Sequence, residues 1–351
     1  MGMRSEIEEQ CAAFWDSPRP HEQPRRRCRR AIAGLAVAAA LSSGAASGAD
    51  TGYLFVSNEK SDTVLVIEPD TYGVVTSIAT CRRPRDMQFD PGHERIYVTC
   101  GDDDAIGVID VATLAMIDRI PTGPSPEMIL ISRDGGTAYV SVEDRGTAQV
   151  IDIASKTLLF EVATGAEPEG LALSEDGRFL YVASEISDMV HVVNLATGAI
   201  LENIIVGSRP RRIVDTADGL ELWVTDELSG TVSVIDRASN TVVEQIAFAP
   251  PGFRAEEVSP VGITISSDGE TIIVSLGYAN HVAFVDRRTR EVESYVLVGA
   301  RAWGVSLSAD GDRLYVANGL SDDISVIDMN SRRNIRSVAT GRSPHSVLVD
   351  G

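Results

Sequence analysis

Lysine is almost missing from this chain: of 31 basic residues only Lys60 and Lys156 are lysines, and the rest are arginines. Acids outnumber bases by 51 to 31, for a formal charge of −20. A surplus of that sign argues against nucleic-acid binding, which needs clustered Lys and Arg to displace counterions. It argues equally against docking on anionic lipid. The 4 cysteines are too few for a disulfide scaffold, and none forms Cys-x-x-Cys or Cys-x-x-Cys-His. No Gly-x-Ser-x-Gly elbow is present, which speaks against a serine hydrolase. His93, His191, His281 and His345 fall at different places in the chain without metal-ligand spacing, so no metal site is expected. Asp102-Asp103-Asp104 lacks the spaced acidic loop and terminal Glu of a calcium site and reads as a solvated turn. What the chain does have is an apolar share of 44 %, enough for a large core.

The N-terminal stretch reads as an address. Arg25-Arg26-Arg27-Cys28-Arg29-Arg30 precedes the uncharged Ala31 to Leu41, and small residues run on to Ala49. A basic region, a short apolar region and small residues before a cut make a secretory signal, with cleavage expected near Ala49. The apolar part is shorter than the 20 or so residues that span a bilayer, so an uncleaved anchor is the lesser alternative. Residues 1–24 match neither signal nor domain, as a start codon placed too early would leave them. Residues 50–351 are then one exported, periplasmic domain, with no membrane contact after the signal is removed.

A repeat decides the fold. An aromatic or apolar residue followed by Val recurs at Phe55, Tyr97, Tyr139, Tyr181, Trp223, Ile273 and Tyr315, with steps of 42 residues and a single step of 50. A second series, Pro84, Pro126, Pro168, Pro210, Pro260, Ala302 and Pro344, keeps the same register. Within one unit, short runs of β-branched residues alternate with turns such as Glu175-Asp176-Gly177. Four short strands in 40 to 45 residues make a propeller blade. The first unit lacks its first strand, and Ser346–Val349 supplies a spare one. Joining them predicts an all-β, seven-bladed β-propeller with four antiparallel strands per blade, closed by a mixed blade that leaves no open edge.

Tyr97-Val98-Thr99-Cys100, Tyr181-Val182-Ala183-Ser184 and Tyr315-Val316-Ala317-Asn318 resemble the YVTN-type repeat propellers. With Arg83-Pro84-Arg85, Ser125-Pro126-Glu127, Glu167-Pro168-Glu169, Arg209-Pro210-Arg211, Ser259-Pro260-Val261 and Arg301-Ala302-Trp303, the series over residues 52–350 is similar to the propeller family associated with pyrroloquinoline-quinone-dependent catabolism. That resemblance implies a periplasmic protein working beside quinoprotein alcohol oxidation, with a quinoprotein dehydrogenase as a possible partner. The chain itself is not such a dehydrogenase, since only Trp223 and Trp303 remain in the exported part to make the tryptophan repeats.

The Pro-centred segments all lie between the last strand of one blade and the first of the next, hence on one face. The residue after each landmark starts the innermost strand, which places Arg85, Glu127, Glu169, Arg211, Val261, Trp303 and His345 around the channel mouth. Arg83, Glu167, Arg209 and Arg301 precede the landmarks, and Glu59, Glu143, Glu185 and Glu227 recur in the loops between second and third strands. The 50-residue step adds eight residues on this face, within 248–258. Arg85, Glu127, Glu169, Arg211, Arg301, Trp303 and His345 are therefore candidates for a ligand- or partner-binding rim. Paired arginines suit carboxylates, and pyrroloquinoline quinone is a tricarboxylate. The bland alternative is exposed pairs that pin neighbouring blades, worth about 0–1 kcal/mol each.

Three functions follow. The first is a non-enzymatic binding or accessory protein with no cofactor of its own. The second is a lactonase-like hydrolase using rim carboxylates and a divalent metal. The third is a purely structural interaction protein. Lastly, Cys81 replaces a glycine recurrent at Gly123, Gly165, Gly207, Gly299 and Gly341, beside the strand that Cys100 ends. A Cys81–Cys100 disulfide is expected in an oxidising compartment, with two free thiols as the alternative.

Overall fold

The computed structural model describes residues 51–351; the expected export signal and its cleavage point lie outside the described residues. Seven four-stranded antiparallel sheets make up the fold. Blade 1 runs through Pro84–Phe89, Arg95–Cys100, Ala105–Asp110 and Ala115–Pro121. Blade 2 starts at Pro126–Ile131, blade 3 at Pro168–Leu173, blade 4 at Pro210–Asp215, blade 5 at Ile263–Ile265 and blade 6 at Ala302–Leu307. Blade 7 joins Pro344–Val349 to Leu54–Asn58, Thr63–Ile67 and Val74–Ala79, which is the mixed closure expected from the repeat. The first strand of each blade touches that of the next until the round closes, so these seven strands form the inner ring. The fourth strands are mostly exposed. Among the described residues no helix is long and apolar enough to cross a membrane.

The recurring dipeptide now has a physical meaning. Successive side chains of a strand point to opposite faces. Phe55, Tyr97, Tyr139, Tyr181, Trp223, Ile273 and Tyr315 each pack into the seam with the following blade. The valines behind them pack into the seam with the preceding one. Burying a side chain of this size contributes about 1.5–3 kcal/mol, so one dipeptide per blade holds both neighbours.

A second device sits nearer the channel. The first strands of blades 1–4 and 6 each carry a bulge just after the landmark residue, as between Pro84 and Met87 or Pro210 and Ile213. A bulge frees two residues from pairing and re-aims their side chains. Hydroxyls on the second strands answer it. Thr99 accepts from the Asp86 amide at 3.0 Å and donates to the Glu127 carbonyl of blade 2 at 2.8 Å. Ser57, Thr225 and Ser275 donate likewise to the carbonyls of Arg85, Val261 and Trp303. In blade 5 the next backbone comes so close that a Cβ on Gly262 would lie 2.2 Å from the Trp303 carbonyl oxygen.

Cys81 and Cys100 are joined, with Cα atoms 5.6 Å apart. In five of the six other blades this loop position holds glycine, because the end of the second strand lies against it. A Cβ on Gly207 would meet Asp226 at 2.5 Å, and one on Gly341 would meet Asn58 at 2.7 Å. In blade 1 the same close approach is bridged covalently.

Candidate functional site

The bulges turn the residue after each landmark into the channel mouth, and the candidates from different blades meet there. Arg85 Nε lies 2.6 Å from Glu127 and its Nη2 3.8 Å from Glu169. Arg211 is 3.3 Å from Glu169, 3.6 Å from Glu227 and in contact with Glu185. Arg301 reaches Glu227 at 2.7 Å and lies over the rings of Tyr278 and Trp303, at 3.8 and 4.4 Å. Arg211 also faces Trp303 at 5.2 Å, and the Trp303 and His345 rings are 5.3 Å apart. All seven rim candidates thus belong to one connected cluster.

The cluster is not a surface rim. Glu127 and His345 are each 1 % exposed, and Arg85, Glu169, Arg211 and Arg301 are buried too. This corrects the expectation of solvent-exposed pairs worth little. The inner strands converge at the mouth, so seven blades together remove water that no single blade could exclude. Arg83 and Arg209, whose side chains keep 27 % and 35 % of their exposure, form a wetter collar above. Arg83 links Glu59 at 3.2 Å to Glu127 at 3.1 Å, and Arg209 links Glu185 at 2.7 Å to Glu227 at 3.2 Å.

Burial sets the protonation states. Desolvation pushes Glu127 up to about 8, against the opposing pull of Arg85. Desolvation likewise pushes Glu185 up to about 8, despite Arg211. Glu169 is desolvated as well, but Arg211, Arg212 and Arg85 together outweigh that and hold it below the usual carboxylate range. His345 is pushed well below its ordinary value by burial first and then by Arg85, Arg212 and Arg211. Burial and the surrounding guanidiniums thus displace neighbouring carboxyls in opposite directions, raising Glu127 and Glu185 and lowering Glu169, and they keep the His345 imidazole uncharged at neutral pH. Among the described residues neither His345 ring nitrogen has a hydrogen-bond partner.

Arg212 and Tyr278 were not among the expected site residues. Arg212 is the second residue of the blade 4 bulge and lies 3.6 Å from Glu169. Its signal was the run Arg209-Pro210-Arg211-Arg212, of which the sequence reading used only the residues flanking Pro210. Every carboxylate at the floor has a guanidinium within 4 Å, a donor set unsuited to a divalent cation. Among the described residues no group of three or more His, Cys, Asp or Glu is placed to hold a metal. Grooves of about 550 Å³ beside Tyr181 and Arg237 and about 600 Å³ beside Tyr72 and Arg313 open on the opposite face among turn residues. Glu127, Glu169, Glu185 and His345, all buried and all displaced in protonation, meet at the mouth, and we place the candidate site there.

Residues 202–341, less than half of the chain, match the family model described as "Lactonase, 7-bladed beta-propeller". Among solved structures, the periplasmic gluconolactonase PpgL of Pseudomonas aeruginosa is similar at 21 % identity and a TM-score of 0.73, covering 85 % of this chain and 99 % of that one. A putative 6-phosphogluconolactonase of Bacteroides uniformis aligns at 16 % identity and a TM-score of 0.70, covering 85 % and 98 %. Hydrazine synthase of Kuenenia stuttgartiensis aligns at 23 % identity and a TM-score of 0.71, covering 80 % and 93 %. At such identities the structures share a fold. No curated protein matches the chain in sequence. The lactonase match overturns the expectation of a protein without enzymatic activity, because it points to a hydrolytic family. It favours the lactonase-like hydrolase over the quinone-associated binding protein. The expectation failed because it looked for a local catalytic motif. In a ring that draws its site one residue per blade, the relevant residues stand 42 positions apart.

Proposed function

We propose that this protein is a metal-independent lactone hydrolase whose reaction takes place at the channel mouth. The observation that carries the reading is the lactonase match over residues 202–341. The chemistry of the mouth supports it. A neutral imidazole is a base that takes a proton from water, and His345 is the buried imidazole held neutral there. As that oxygen bonds to the lactone carbonyl carbon, negative charge develops on the carbonyl oxygen. Guanidiniums in a site shielded from water stabilise such charge well, a role for Arg85 and Arg211. The ring C–O bond then breaks, and the departing alkoxide takes a proton, either the one on His345 or that of Glu127. The product is a hydroxy acid whose carboxylate is attracted by the same arginines.

The reading includes export. The basic and apolar segment before residue 50 supports it, as do the Cys81–Cys100 bond and the likeness to a periplasmic protein.

The test is acid release from γ- and δ-lactones by the purified protein, gluconolactone included, above the spontaneous rate. We expect turnover, and we expect His345→Gln to lower it about 10²- to 10⁴-fold with little change in melting. No acceleration with any lactone overturns the reading. Tight binding of pyrroloquinoline quinone in the absence of hydrolysis would return the mouth to the ligand-binding role.

A further inference from the structure

The loop between second and third strands places two consecutive residues over the mouth in every blade. The first is Glu59, Gly101, Glu143, Glu185, Glu227, Gly277 or Gly319, and its glutamates pair with Arg83 or Arg209. The second stands above it, and its chemistry divides the ring. In blades 7, 1 and 2 it is the exposed charge of Lys60, Asp102 or Asp144. In blades 3 to 6 it is Ile186, Leu228, Tyr278 and Leu320, with 61, 71, 60 and 64 % of their surface exposed. Single exposed apolar side chains are ordinary. Four at the same repeat position on four consecutive blades form an arc, and an arc of this kind marks a binding surface.

The arc is continuous with the site. Ile186 follows Glu185, and Leu228 follows Glu227, both of which pair with Arg211 or Arg209. Tyr278 packs against Arg301, which itself lies on Trp303. Leu320 follows Gly319, where a Cβ would stand 2.6 Å from the Trp303 ring. The one long inter-blade loop falls within this arc, between blades 4 and 5, and adds exposed Pro251 and partly buried Phe253 on the same face.

We infer that the ligand of this mouth is amphiphilic: a lactone, or its hydroxy acid, carrying an unbranched or lightly branched apolar chain, with its polar head among Arg85, Arg211 and His345 and its chain along the arc of blades 3 to 6. The inference rests on the proposed function and specifies its substrate class. A polyhydroxylated or phosphorylated sugar lactone would leave the arc uncovered.

Two measurements test it separately from hydrolysis itself. Straight-chain carboxylates of four to ten carbons, below their micellar range, are titrated calorimetrically into the wild type and into a Leu228→Ser/Leu320→Ser double variant. Affinity is expected to rise about two- to threefold per added methylene in the wild type, as partial burial of each methylene requires, and the variant is expected to flatten that slope. A flat slope in the wild type, or an equal slope in both proteins, overturns the inference. In parallel, kcat/KM is measured for γ-lactones of increasing chain length. Hydrolysis without chain-length preference overturns the inference and leaves the proposed function standing. A chain-length slope in binding with no hydrolysis does the reverse.

Discussion

The two faces of the ring handle their carboxylates in opposite ways. On the face of the turns between third and fourth strands, Asp110, Asp152, Asp236 and Asp328 each accept from the amide and hydroxyl three residues on, belonging to Thr113, Ser155, Ser239 and Ser331. Those hydrogen bonds lower all four below the ordinary carboxylate range. On the mouth face, Glu127 and Glu185 are raised by burial, and their partners come from other blades. The first arrangement is a local turn that each blade makes for itself. The second exists only when neighbouring blades are packed together. A carboxylate solvated by its own turn is a structural part, whereas one kept dry by seven blades is available for chemistry.

Removing a mouth guanidinium is the strongest way to break this contrast. Arg211→Ala leaves Glu169 without its nearest ion partner, and breaking a buried pair costs about 3–5 kcal/mol. Chemical denaturation should show that loss. A small change would mean the floor is wet, and would put the two faces on equal terms.

Next in size is the Cys81–Cys100 bond. It closes a sequence separation of 19 residues, worth about 3 kcal/mol by loop entropy. Reducing it should lower the melting temperature, and denatured, unreduced protein should show neither thiol reactive. Reactivity of both would remove the staple from the mouth face.

The pH dependence sharpens the contrast further. Glu127 and Glu185 hold protons up to about 8 in the folded chain, whereas an unfolded glutamate releases its proton near 4.3. The unfolded state therefore binds fewer protons between those values, and stability falls as pH rises from about 5 to 8. Glu127→Gln should flatten that decline. The lowered aspartates of the far face act in the other direction, losing their contribution only as pH falls through their folded values. Melting temperature against pH for wild type and Glu127→Gln reads both limbs. A decline of the same steepness in both proteins would show that Glu127 does not carry it.

The smallest effect should come from the far face. Asp236→Ala removes one local turn in solvent and should leave melting close to wild type. A loss rivalling that of Arg211→Ala would erase the distinction.

Position in the repeat was legible in the sequence, and environment was not. The 42-residue register placed Arg85, Glu127, Glu169, Arg211, Trp303 and His345 at the start of inner strands, which is where they stand. The mixed blade was legible for the same reason, because a missing strand at one end matched a spare one at the other. That Glu127 is dry while Glu143 in the same blade is half-wet follows from how inner strands from several blades converge, and no single blade encodes that. Arg212 escaped notice because only the residue directly after each landmark was placed at the mouth, whereas the bulge frees two residues there. The apolar arc was present at a fixed repeat position, yet exposed leucines carry no signal until they are seen to surround something.

The closing blade also sets a timetable. Pro344–Val349 pairs with Leu54–Asn58, and Asp350 accepts from the Thr51 amide at 2.8 Å. Contacts of such sequence separation form late, because the chain between them must first be ordered. Until residue 349 has been made, the strand Leu54–Asn58 has an unpaired edge, and the seam between blades 6 and 7 lacks Val347. A chain short of that strand would thus hold six complete sheets and a three-stranded seventh, with an unpaired border where the ring should close. Keeping that border covered falls to whatever escorts the unfinished chain, and the demand ends only when the circle is complete.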